Sequence, residues 1–161
     1  MSEALNNNEP ISQGVDMYGR KKHDLLSPRE CAIIAAQAAD EKKATDIMVQ
    51  YVGDLIGVTE YFVICTASNN RQVEAVVDEI EEQCRERGGA KPYHIEGTGD
   101  GTWSLLDYGS FIVHVFQPEA RDYYRLEALW NDAPLVDLEA EAGLADLQYS
   151  ERIAKLVGRE A

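Results

Sequence analysis

The chain has 161 residues, enough to bury the core of one domain, and 45% of them are hydrophobic. Its net charge is −14, and residues 27–130 alone carry 18 acidic against 9 basic side chains. Such an acidic body repels phosphate backbones, which argues against direct, broad nucleic-acid binding; no sequence-specific nucleic-acid partner is expected, and no apolar run is long enough to cross a bilayer.

Residues 1–26 mix Asn, Gly, Ser and Pro without a sustained period and read as a disordered N-terminal arm. The arm lacks the apolar run of a signal peptide, and Arg20-Lys21-Lys22 within it reads as a solvated cluster. Ser27-Pro28-Arg29-Glu30 is a helix start, with Ser as cap, Pro in the first turn and Glu reaching back; the helix runs to about Lys42. Ala44 to Val52 alternates Ile47, Val49 and Tyr51 with polar residues, which predicts a half-buried strand. After a connection over Gly53–Thr59, the run Tyr61 to Ala67 suits a central strand.

Ser68-Asn69-Asn70 supplies caps for a helix that lasts to about Arg87 and stops at Gly88-Gly89. Val73, Val76, Val77, Ile80 and Cys84 form its apolar stripe. Pro92 to Glu96 reads as a short edge strand, and Gly97–Gly101 as a loop. Two strands joined at Tyr108-Gly109 occupy Thr102 to Phe116, the second almost wholly apolar. Pro118 opens a helix that continues to Trp130. Val136 to Val157 can form one or two helices, with Gly143 as a weak point, in a helical C-terminal extension over residues 135–161. The layout is α/β: a single compact domain with a mixed sheet of about five strands flanked by helices.

Signs of catalysis are weak. His23, His94 and His114 are far apart, and no His or Cys spacing resembles a metal site. Within its apolar strand His114 reads as a hydrogen-bonded structural residue, and Asp107 as a turn cap. Gly97–Gly101, GTGDG, lacks the Lys-Ser/Thr pair of a phosphate loop, and the pairs Glu79/Glu81 and Asp137/Glu139 diverge around helix axes. Cys31, Cys65 and Cys84 are widely spaced and odd in number, so buried free thiols in a reducing cytoplasm are expected. Neither a metal nor a cofactor is called for. Trp103, Tyr108, Phe116, Tyr123, Tyr124, Leu129 and Trp130 crowd into about thirty residues, and aromatics with polar tips are favoured interface anchors.

The run WSLLDYGSFIVHVFQPEARDYYRLEALWNDAP, residues 103–134, resembles the signature of the ribosomal silencing factor family, also called RsfS or Iojap-like. Ala44-Thr45-Asp46-Ile47, Thr59 to Ile64, Arg71-Gln72-Val73 and Glu96-Gly97 agree with it, so the resemblance covers residues 27–134. It implies a nucleotidyltransferase-like fold without enzymatic activity. It also implies a partner, the large ribosomal subunit, bound through ribosomal protein fourteen so that the small subunit cannot join and translation is repressed. By position in the matching block, Trp103, Leu105, Leu106, Asp107 and Tyr108 form the binding centre, followed by His114, Phe116, Arg121 and Tyr124. Gln117 stands where family members often have His or Leu. The resemblance further implies homodimers of the free protein, and without a transit-like N-terminus a bacterial cytoplasmic location is expected. The alternatives are a nucleotidyltransferase-like enzyme and a dimerisation module.

Overall fold

The first helix starts where its capping residues place it. The computed structural model describes residues 26–158, so the expected arm, apart from Leu26, lies outside the described residues. In α1 (Pro28–Glu41) the Glu30 N–H donates to Ser27 Oγ at 3.1 Å, and the Ser27 N–H donates to Glu30 Oε1 at 2.9 Å. Two N–H groups that the helix itself cannot satisfy are thereby paired. Ser27→Ala is expected to lower stability by about 1 kcal/mol, read as a shift in the urea midpoint.

The sheet is mixed and five-stranded. Its strands are β1 (Thr45–Tyr51), β2 (Tyr61–Thr66), β3 (His94–Gly97), β4 (Trp103–Asp107) and β5 (Phe111–Phe116), in the order β1-β2-β5-β4-β3. The β2–β5 pair is parallel and the other three are antiparallel. The two central strands are the two continuous apolar runs, because both of their faces are covered. Between β2 and β3 runs α3 (Asn70–Gly88), where Asn69 Oδ1 accepts from the Gln72 N–H at 2.9 Å and Gly89 closes the far end at φ +66°. Gly109, at φ +83°, turns β4 into β5 with a backbone conformation that a side chain would strain.

Three expectations change. The strand β1 is not half-buried, since Ile47, Met48, Val49 and Gln50 are all buried. A register shift between Thr45 and Met48, with Asp46 at φ +51°, breaks the alternation. The chain beyond residue 133 then closes the outer edge of β1. Tyr51 N–H donates to Pro134 O (2.8 Å), Val136 N–H to Val49 O (2.9 Å) and Asp46 N–H to Gln148 O (2.9 Å).

That closing segment holds two helices, α6 (Leu138–Ala142) and α7 (Glu151–Leu156), with Gly143 ending the first; Leu138 and Ile153 are buried against the body. A short helix, α2 (Gly53–Ile56), replaces the plain connection after β1. The helix expected up to Trp130 breaks at Arg125, φ +48°, into α4 (Pro118–Tyr124) and α5 (Leu126–Leu129). The break turns Glu127 inward beneath α4, which a continuous helix would not do.

The two faces of the sheet differ in cover. Helices α1 and α3 close one face, with Val76 and Ile80 of α3 packed over Ile47, Val63, Leu106 and Val113. On the other face Met48, Phe62, Ile64, Phe116, Ala120 and Ile153 form a second cluster under α4 and α7. Toward β4 and β3 this second cover thins: Trp103, Leu105, Asp107 and Ile112 are half-buried, and His94 and Glu96 are exposed.

Candidate functional site

Pairing register divides the residues singled out in the sequence. Trp103 lies opposite Phe116, Leu105 opposite His114, and Asp107 opposite Ile112, so all six share the thinly covered face. Leu106 and Tyr108 point the other way. Leu106 is 0% exposed, and Tyr108 is buried with its ring stacked on Phe111 at 4.4 Å. Both serve the core under α1 and α3, because side chains on a strand alternate.

Trp103 is the centre of an aromatic group. Its ring centroid is 4.7 Å from that of Phe116, which is wholly buried beneath it. On the outside, Tyr124 of α4 lies 4.7 Å from the indole and is 46% exposed. Tyr123 and Leu129, at 81% and 69% exposed, extend the apolar surface around α4 and α5. Ile112 completes the patch beside Leu105. Its apolar surroundings in the sequence gave no sign of this, and only the pairing register reveals it.

Below the indole, the Trp103 Nε1–H donates to His114 Nδ1 at 3.2 Å. The imidazole is 4% exposed, and Phe62 meets it edge-on at 5.0 Å. Burial, with Arg121 nearby, pushes its pKa from the ordinary 6.5 down to about 3. The folded protein therefore holds this ring neutral. Between pH 6.5 and about 3 the unfolded chain takes up a proton here that the folded one does not, so stability falls as pH falls through that window. Urea unfolding from pH 7 to 4.5 should show a slope steeper, by up to about 1.4 kcal/mol per pH unit, in the natural protein than in His114→Asn.

Arg121 is not an exposed contact. It is 2% exposed, its Nε–H donates to Glu127 Oε1 at 2.9 Å and its Nη1–H to Thr66 Oγ1 at 2.8 Å. Arg152 of α7 donates to the second oxygen of Glu127 at 2.5 Å and also pairs with Asp122. Gln50 of β1 donates its amide to the carbonyls of Glu127 and Trp130. This network joins β1, β2, α4, α5 and α7. Sequence reading missed Glu127 and Arg152, since both look like ordinary solvated charges.

The groups considered for catalysis are engaged elsewhere. Asp107 Oδ1 accepts from the Gly109 N–H at 2.8 Å, as a turn cap does. Asp100 in the glycine-rich loop accepts from the backbone N–H and hydroxyl of Thr102. His94 pairs with Glu96, Asp137 caps α6, and Glu79 accepts from Gln83. His23 lies outside the described residues. Among the described residues no three His, Cys, Asp or Glu side chains are grouped to hold a metal ion, and no helix is long and apolar enough to cross a membrane. The three thiols are free and buried, and burial pushes Cys65 and Cys84 up to about 12. What the arrangement offers is a contact surface: a rigid aromatic and aliphatic patch on one side of a sheet, flanked by carboxylates.

Comparison with known proteins agrees with the resemblance in the sequence. Residues 26–156 match the family described as "Ribosomal silencing factor during starvation", RsfS. A Bacillus subtilis (strain 168) protein named ribosomal silencing factor RsfS is 42% identical over 106 residues, covering 66% of this chain and 89% of that one. A mouse protein named "Mitochondrial assembly of ribosomal large subunit protein 1" is 33% identical over 63% of this chain and 47% of its own length. A crystal structure of a Chromobacterium violaceum protein superposes with a TM-score of 0.62 at 32% identity, covering 65% of this chain and 87% of that one. The match spans most of the described chain, both sheet faces and the C-terminal helices, so the chain belongs to the ribosomal silencing factor family.

Proposed function

We propose that this chain binds the large ribosomal subunit through ribosomal protein fourteen, prevents the small subunit from joining, and so represses translation in a bacterial cytoplasm. The observation that carries the reading is the half-open sheet face with Trp103 at its centre, in a chain of the silencing-factor family. The name of the mouse relative refers to a ribosomal large subunit, that of mitochondria. Rigid aromatic anchors set in a buried support are the usual source of most interface energy.

The mechanism is contact. Trp103, Leu105, Ile112 and Tyr124 meet the partner, while His114, Phe116 and Arg121 hold them from below. An interface of about 1,600 Å² in total suffices for specific binding. The acidic body speeds encounter with a basic ribosomal protein, and the charge left outside repels the incoming RNA of the small subunit. No bond is broken and no cofactor takes part. A homodimer of the free protein formed through the same patch would compete with the ribosome for it.

Joining of purified subunits, followed by light scattering, tests the reading. Saturating protein should slow joining and leave free large subunits with the protein bound. Joining at the same rate and to the same extent would overturn it.

A further inference from the structure

We infer that His114 is a positioning residue for docking: it takes the one polar atom of Trp103 inward, so that the indole is fixed before binding and offers its partner only apolar surface. This inference rests on the docking role proposed for Trp103. The bond is the Trp103 Nε1–H to His114 Nδ1 contact at 3.2 Å. It requires the proton on His114 Nε2, an atom that is buried and has no hydrogen-bond partner. One ring nitrogen is thus spent on the indole and the other on nothing, which is a poor arrangement for stability alone.

The imidazole is itself immobile. Phe62 meets it edge-on at 5.0 Å and Phe116 lies nearly parallel to it at 6.2 Å. Trp103 in turn is packed against Phe116 and Tyr124, each at 4.7 Å. A half-buried tryptophan on a sheet face would otherwise sample several rotamers, and fixing one of them on binding weakens association. Here that ordering is done during folding. With its N–H already satisfied, the indole needs no acceptor opposite it, so the matching spot on the partner is an aliphatic or aromatic socket. A carbonyl or phosphate there would gain nothing from this residue.

The test uses His114→Leu and His114→Asn in the full chain, with isolated large subunits as the probe. Asparagine can present an oxygen to the indole where leucine cannot. Two readouts are taken: hydrogen-exchange protection of the Trp103 indole N–H by NMR, and affinity for large subunits by co-sedimentation. His114→Leu should lose the protection and bind about 5- to 10-fold more weakly, the loss expected for one less preorganised anchor. His114→Asn should restore both. Full affinity in a His114→Leu protein that has lost indole protection would overturn the inference. So would an asparagine variant that regains protection and still binds weakly. Should His114→Leu fail to fold, Trp103→Phe keeps an aromatic ring but has no N–H to hold, and the same 5- to 10-fold loss is expected of it. Undiminished binding by Trp103→Phe would then overturn the inference. If the natural protein does not bind large subunits at all, the docking role itself is lost, whereas the indole protection is still measured.

Discussion

Glu127→Ala is expected to destabilise the fold by about 3–5 kcal/mol, the range for removing one partner of a buried ion pair. Glu127 is 0% exposed and receives Arg121 on one oxygen and Arg152 on the other. Without it the buried Arg121 guanidinium keeps only Thr66 Oγ1, and its Nη2 is already without a partner. An uncompensated charge in the interior is far more harmful than a lost contact. The comparison that gives the number meaning is Arg29→Ala. Arg29 meets Glu141 at 2.5 Å, but the two side chains are 43% and 33% exposed. Solvent screens that pair, and its loss should lower stability by less than about 1 kcal/mol. Urea unfolding of the two variants at neutral pH checks both values. Equal effects would mean that Glu127 is not the keystone of the α4–α5–α7 layer.

The second large effect is on binding. Trp103→Ala should weaken affinity for the large subunit by about 2 kcal/mol or more, roughly 30-fold, if Trp103 is the anchor of the face. Because Phe116 and Tyr124 pack on the indole, the variant must first be shown to be folded. Tyr124→Ala is the companion, since Tyr124 is 46% exposed and its removal leaves the core intact. Leu106→Ala is the contrast. It should reduce stability by about 2–5 kcal/mol through a core cavity, with no direct effect on docking once folded. Unchanged binding by a folded Trp103→Ala protein would remove that residue from the site.

Much of the fold is legible in the sequence because its signals are local. The capping box at Ser27, the Asn69 cap, the glycine closing α3 and the turn at Gly109 each act within four residues. The two continuous apolar runs become the two central strands for the same reason. Long-range cover is different. The alternation in β1 suggests one wet face, but the segment after Pro134, some ninety residues downstream, dries it.

The candidate face was only partly legible. Alternation places Trp103, Leu105 and Asp107 on one face, yet it does not say which face two layers of helices leave thinner. For that reason Leu106 and Tyr108, which the family signature includes, belong with the core. Arg121 lies inside for a reason no spacing announces. Its partner Glu127 comes within reach only because the chain reverses its twist at Arg125, a residue with no turn signal of its own.

The strap that closes β1 also bears on how the protein is made. All five strands are synthesised before Leu138 exists to pack on the α1–α3 side and Ile153 to cover Met48 and its neighbours. A nascent or truncated chain ending near Pro134 would therefore display an open apolar edge at β1 as well as the exposed one at β3. Such an intermediate invites strand addition from other chains. Closure of that edge waits on the segment that carries Val136 and Gln148.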